Sequence, residues 1–241
     1  MNLNVYVACS SDPRDYKEAF DLGARGILTN ANLLLKYYGK DMSLKDSARK
    51  MLKESDPLMT VFQSIHGRTC DEIYRKDMEI CVLDRKRIGF KIVCNTEGFK
   101  AMRKLSSQNI KVIATGMFTC RQAYMAAVSN CFAISPFVDR GNEAGYDMFE
   151  TIRNIRALYD RIEGRPVPEI LAASIHNKEE AMQAFITGAD AVAVDIATLK
   201  DFCNDPNSLR TEKAFGAAFD KIKGEDASYL KFDSDDHNYE E

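Results

Sequence analysis

The 241-residue sequence has no surplus of positive charge: 33 Lys and Arg against 36 Asp and Glu leave a formal net charge of -3. Nucleic-acid binding and attachment to an acidic membrane surface both call for a concentrated basic patch, so neither partner is expected. No apolar run approaches the roughly 20 residues of a membrane-spanning helix, and the N-terminus shows no basic stretch followed by an apolar one. The seven cysteines (Cys9, Cys70, Cys81, Cys94, Cys120, Cys131 and Cys203) form no C-x-x-C pair. An odd number scattered through apolar segments is the pattern of reduced thiols in a cytoplasmic protein. His66, His176 and His237 are too dispersed for a metal site.

What is present is an ordinary globular balance, 45% hydrophobic and 29% charged, enough for one large barrel or two small domains. Short apolar, β-branched runs recur at 4–8, 26–29, 60–65, 89–94, 111–116, 132–138, 170–174 and 191–196. Longer charged stretches with helical spacing lie between them, among them 15–22, 44–53, 96–107, 120–129, 148–162 and 178–187. Nearly wholly apolar strands alternating with helices imply a parallel sheet covered by helices. Eight such units in about 200 residues is the size of a compact (β/α)8 TIM barrel. The competing layout, an open doubly wound sheet, usually has a Gly-rich turn after its first strand; here that turn is Cys9-Ser10-Ser11-Asp12.

Helix punctuation agrees. Ser11 or Asp12 can cap a helix with Pro13 at its first position, Thr96-Glu97-Gly98 offers a cap after strand four, and Asn177 one after strand seven. A final helix over 208–223 carries Phe215, Phe219 and Ile222 on one face. The expected organisation is a single barrel with this extra C-terminal helix over residues 1–224, then an acidic tail, 225–241, with the composition of a disordered end.

Lys91 is the anomaly. It lies in Gly89-Phe90-Lys91-Ile92-Val93-Cys94, otherwise a buried strand. Alternation sends Phe90 and Ile92 to one face and Lys91 to the other, into the lumen if the first two pack beneath helices. Desolvation lowers a lysine pKa, and the neutral amine is the nucleophile of Schiff-base chemistry. The plainer alternative is a strand-end lysine whose head reaches solvent. Thr29, Asn30, Gln63, Thr115, Arg140 and Ser174 also sit on or after strands, whose ends converge on one mouth in a barrel. Taken singly, each has a structural explanation. Arg140 and Ser174 together would suit a phosphate. His176 near the mouth reads as a cap or solvated residue, Asp195 as a buried acid or a strand-end cap, and the charges at 84–87 as a solvated face before strand four.

Four segments resemble the transaldolase family, particularly its small members related to fructose-6-phosphate aldolase. Lys91-Ile92-Val93-Cys94-Asn95-Thr96-Glu97-Gly98 resembles "KVP-T-EG", whose lysine forms the imine, and Leu28-Thr29-Asn30-Ala31-Asn32 resembles "TTNPS". Ile134-Ser135-Pro136-Phe137-Val138-Asp139-Arg140 resembles "ISPFVGR", and Leu171-Ala172-Ala173-Ser174 resembles "LAAS". The match is best from Lys91 to Cys203 and weaker over 1–70. It implies a barrel, imine chemistry at Lys91 on a ketose phosphate, and phosphate contacts from Arg140 and Ser174. It also implies ring-shaped homo-oligomers, pentamers or decamers, that use the final helix.

Three departures stand beside it. The family's strand-one aspartate, which handles the C4 hydroxyl proton, is missing from Val7-Ala8-Cys9-Ser10. Ala31 and Asn32 replace the proline and serine of "TTNPS". Gln63 at the water-activating position matches the aldolase branch, whereas Phe137 does not, because that branch favours tyrosine.

The expectation is therefore a class I aldolase or transaldolase acting on a ketose phosphate such as fructose 6-phosphate, transferring or releasing a dihydroxyacetone unit. Lys91 is the nucleophile, Asn30 orients the ketose, Thr115 and Gln63 position water, and Arg140, Ser174, Thr29 and Phe137 bind substrate and phosphate. No metal or organic cofactor is needed, since the lysine serves as electron sink. The alternatives are a sugar-phosphate-binding barrel impaired by loss of the strand-one acid, and a lysine aldolase for another sugar phosphate or keto acid.

Overall fold

The computed structural model describes residues 3–222, so the tail 225–241 lies outside the described residues. The chain divides into two compact units, Met1–Lys200 and Asp201–Glu241. In the first, eight parallel strands close into a barrel in sequence order. They are β1 (Asn4–Ala8), β2 (Ala24–Leu28), β3 (Thr60–Ser64), β4 (Ile88–Val93), β5 (Lys111–Met117), β6 (Ala133–Pro136), β7 (Glu169–Ala172) and β8 (Ala191–Val194). The helices are α1 (Pro13–Asp21), α2 (Ala31–Tyr38), α3 (Leu44–Glu54), α4 (Cys70–Cys81), α5 (Thr96–Ser106), α6 (Cys120–Val128), α7 (Val138–Glu143), α8 (Met148–Tyr159), α9 (Lys178–Ile186) and α10 (Ile196–Cys203). The expected TIM barrel is the observed fold. In the second unit α11 (Pro206–Phe219) is capped by Asp205, and none of its residues is buried.

Alternation along the strands divides the apolar residues between two interfaces. Phe90, Ile92, Val112 and Ala114 are fully or almost fully buried in the layer between sheet and helices. Tyr6, Leu28, Phe62, Ile113, Ala133, Leu171 and Ala191 form a second cluster that plugs the lumen. Phe62 stacks on Phe132 at 5.6 Å and meets Tyr6 edge-on at 6.0 Å. Its ring fits because its register partner is Gly89, where a Cβ would come within 2.5 Å of the ring. Two residues further along the same two strands, Ser64 pairs with Lys91. An aromatic floor thus lies directly beneath the lysine.

The loops obey local hydrogen-bond chemistry. Asp12 caps α1 ahead of Pro13, and Asn177 caps α9 through Glu180 N at 2.8 Å. After β4 the cap is Asn95, one residue earlier than Thr96, and it accepts from Gly98 N at 2.8 Å. A side chain at Gly98 would collide with Val93 O at 2.2 Å. The charges before β4 are not simply a solvated face. Arg87 is half-buried, and its guanidinium donates to the carbonyls of Met59, Leu52 and Asp56 at 2.8–3.0 Å, closing the end of α3 onto the start of β3. Carbonyls left open at a helix C-terminus need such a donor, and a five-donor fork supplies several at once.

Candidate active site

The C-terminal strand ends open into a cavity of about 530 Å³. Its lining includes Lys91, Thr115, Asn30, Thr29, Phe137, Arg140 and Ser174 from the sequence-based set. In a barrel every strand ends at the same rim, so residues spread over some 150 positions meet there.

Lys91 projects from the middle of this cup and is 6% exposed. Its amine makes no hydrogen bond or ion pair with any described residue. Burial is the main cause of a lowered pKa; the Cys9 sulfur opposes it, the Arg140 charge adds to it, and the amine comes down from 10.5 to about 8. Burial also pushes the Cys9 thiol up to about 12. At pH 7.5 an ordinary lysine is neutral about once in a thousand, whereas at a pKa of about 8 the neutral share is roughly a quarter. An amine buried, unpaired and partly neutral is equipped to attack a carbonyl.

Beside it, two residues beyond Ile113, its register partner on β5, Thr115 is buried with its hydroxyl unpartnered. Its register partner on β6, Ser135, is fully buried and likewise unpartnered. On the rim, Arg140 lies exposed in α7 with its guanidinium carbon 5.2 Å from the centre of the Phe137 ring. Next to it Ser174, whose carbonyl accepts from Asp139 N at 3.1 Å, holds a left-handed backbone, φ +57°, just after β7. Such a conformation is costly for a non-glycine residue and turns the backbone abruptly at the point where the hydroxyl reaches the cavity.

Two polar residues at the mouth already have structural tasks. The Thr29 hydroxyl donates to Phe62 O at 3.2 Å and accepts from Ser64 N at 2.7 Å, clamping β2 to β3 where the ladder ends. Asn30 caps α2 by accepting from Leu33 N at 2.9 Å, which leaves its amide nitrogen for a ligand. Gln63 is not brought to the cavity. It is fully buried, both amide atoms lack a partner, and it pairs in register with Phe90. With Phe62 and Ser64 facing the lumen, alternation directs Gln63 to the opposite face, and Ser64 lines the cavity in its place.

Residues that the sequence left undecided or discounted also line the cavity. His176 stands on the rim with Nε2 3.1 Å from Asp139 Oδ2. His66 follows Ser64 and Ile65, and Asp195, exposed at the end of β8, lines the wall opposite Lys91. The position next to Asp195 on β1 is Ala8.

Residues 40–239 match the family model described as Transaldolase/Fructose-6-phosphate aldolase. A probable transaldolase of Brucella melitensis biotype 1 is 30% identical over 217 residues, covering 88% of this chain and 94% of that protein. One from Thermoplasma volcanium is 31% identical over 195 residues, covering 80% and 85%. One from Mesorhizobium japonicum is 31% identical over 221 residues, covering 88% and 94%. Among solved structures, a thiamine phosphate pyrophosphorylase from Pyrococcus furiosus superposes with a TM-score of 0.56 at 15% identity, over 82% of this chain and 87% of that one. At that identity the likeness is one of fold.

Proposed function

The chain belongs to the transaldolase/fructose-6-phosphate aldolase family, and on that premise we propose that it is a class I enzyme forming an imine between Lys91 and a ketose phosphate such as fructose 6-phosphate. The observation that carries the reading is the unpartnered, desolvated Lys91 amine inside a cavity whose rim holds Arg140 and Ser174. The neutral amine adds to the C2 carbonyl, and the resulting carbinolamine takes up a proton and loses water to leave an iminium. Breaking the C3–C4 bond then returns its electron pair to the nitrogen as an enamine, while the C4 hydroxyl gives up its proton and becomes an aldehyde. Protonating the enamine carbon and hydrolysing the imine releases dihydroxyacetone; trapping the enamine with an acceptor aldehyde transfers the unit instead.

The supporting roles follow from what each side chain has free. Arg140 supplies a guanidinium fork, and Ser174 a hydroxyl, to the phosphate. The free amide nitrogen of Asn30 donates to a ketose oxygen. The open Thr115 hydroxyl, with Ser64 beside Lys91 on β3, holds the water through which protons move. Thr29 shapes the wall by holding Ser64, and Phe137 presents a flat apolar face under Arg140. The reading includes a cytoplasmic homo-oligomer, for which light scattering distinguishes the pentamer from the decamer.

Borohydride treatment with fructose 6-phosphate or dihydroxyacetone is expected to leave a stable adduct on Lys91, located by peptide mass spectrometry. Absence of adduct at every ligand concentration would remove the imine reading. An adduct without cleavage at any pH would instead favour the impaired binding barrel.

A further inference from the structure

Retro-aldol cleavage needs a base to take the C4 hydroxyl proton, and the β1 position nearest that task is Ala8, which has no acid-base chemistry. The geometry points to Asp195 as that base: its carboxylate, on the adjoining strand end, accepts the C4 hydroxyl proton during carbon–carbon cleavage. This rests on the imine reading of Lys91 and deepens it.

Three observations support the assignment. Asp195 is the one carboxylate among the residues lining the cavity. By continuation of the register that pairs Val7 with Val194, it stands beside Ala8 at the end of the next strand. β8 lies opposite β4 in the ring of eight, so Lys91 and Asp195 face the same space from opposite walls. A substrate tethered at C2 to the lysine extends across the lumen towards the aspartate. The two groups form no ion pair that a substrate would have to break.

The carboxylate has one oxygen to spare. Oδ1 accepts from Thr198 N at 2.8 Å and caps α10. Oδ2 has no hydrogen-bond or ion-pair partner among the described residues. The cap fixes the side chain, and the second oxygen is left for substrate. In the cleavage step the O–H proton passes to Oδ2, the C4–O bond becomes a carbonyl, the C3–C4 bond breaks and its pair moves into the iminium. In the synthetic direction the same proton returns to the new hydroxyl. Of the other basic groups on the wall, His176 is already hydrogen-bonded to Asp139, and His66 lies on the β3 side.

Asp195→Asn separates the two roles, because the asparagine oxygen still caps Thr198 N while the base is lost. The expected result is a kcat for fructose 6-phosphate cleavage lower by roughly 10²- to 10⁴-fold, with KM, melting temperature and borohydride-trapped Lys91 adduct unchanged. Adding Ala8→Asp to that variant places a carboxylate on the adjoining strand and is expected to recover at least about tenfold of the lost kcat. A kcat for Asp195→Asn within about threefold of wild type overturns the assignment, being far below what loss of a general base costs. So does loss of the Lys91 adduct together with activity, or a collapse of kcat with the adduct intact in His66→Ala alone. Absence of an adduct in the wild-type protein is a different failure, that of the imine reading itself.

Discussion

Replacing Lys91 by methionine removes the proposed nucleophile while keeping an unbranched chain of similar length in the lumen. A catalytic lysine held in a dry site costs the fold stability whenever it is protonated. In the unfolded chain the amine titrates near its ordinary 10.5, and in the folded protein at about 8. Below pH 8 both states carry the proton and the folded state bears the whole desolvation cost. Between 8 and 10.5 the folded amine is neutral while the unfolded one is still charged, so the cost shrinks as pH rises; above 10.5 it is gone. Each pH-scale step is worth about 1.4 kcal/mol, which puts the full cost at roughly 3 kcal/mol. For a chain of this size that is about 6–12 °C in Tm. Lys91→Met is therefore expected to melt several degrees above wild type at pH 7, with a gap that closes between pH 8 and pH 10.5, and to form no adduct. Differential scanning calorimetry across that range checks it. A variant equal to or less stable than wild type at pH 7, or a gap independent of pH, would refute the desolvated amine on which the mechanism depends.

Arg140→Ala is expected to lower kcat/KM for fructose 6-phosphate by about 10- to 100-fold, the worth of a charged hydrogen bond. It should leave imine trapping with unphosphorylated dihydroxyacetone nearly unchanged; equal losses with both would place Arg140 outside phosphate binding. Thr29→Val removes the acceptor for Ser64 N and the donor to Phe62 O, and should cost about 1–3 kcal/mol in denaturant titration. An unmoved midpoint would show that the clamp carries no load. Asp77, fully buried on α4 with both oxygens unpartnered, has its carboxyl pushed by burial from 3.8 to about 8. Below 3.8 both states are protonated; between 3.8 and 8 the unfolded state ionises while the folded one does not, so the group destabilises the fold increasingly as pH rises. Asp77→Asn should then raise Tm at pH 7 and give no benefit near pH 4. A constant difference would mean that Asp77 is ionised in the fold.

The barrel was legible because its signals are local. Apolar runs of strand length alternate with helical periodicity, and Asp12, Pro13 and Asn177 mark helix starts by chemistry within a few residues. Lys91 was legible for the same reason, a single charge among residues that otherwise all read as buried. The polar rim was legible as a set, since strand ends converge once the barrel is assumed.

What the sequence could not supply was the phase of each strand relative to its neighbours. Gln63 and Ser64 are adjacent, and a one-residue difference in register decides which of them meets Lys91; only the pairing of Phe62 with Gly89 settles it in favour of Ser64. The same limit hid Asp195, which reads as a cap or a buried acid until β8 is laid beside β1 and its carboxylate is found facing the cavity beyond Ala8. Arg87 looked solvated because the carbonyls it serves lie some 30 positions earlier in the chain. Periodicity and capping act over a few residues and so belong to the sequence. Register, desolvation and the meeting of distant side chains are properties of the closed barrel, and they decided which side chains share the cavity.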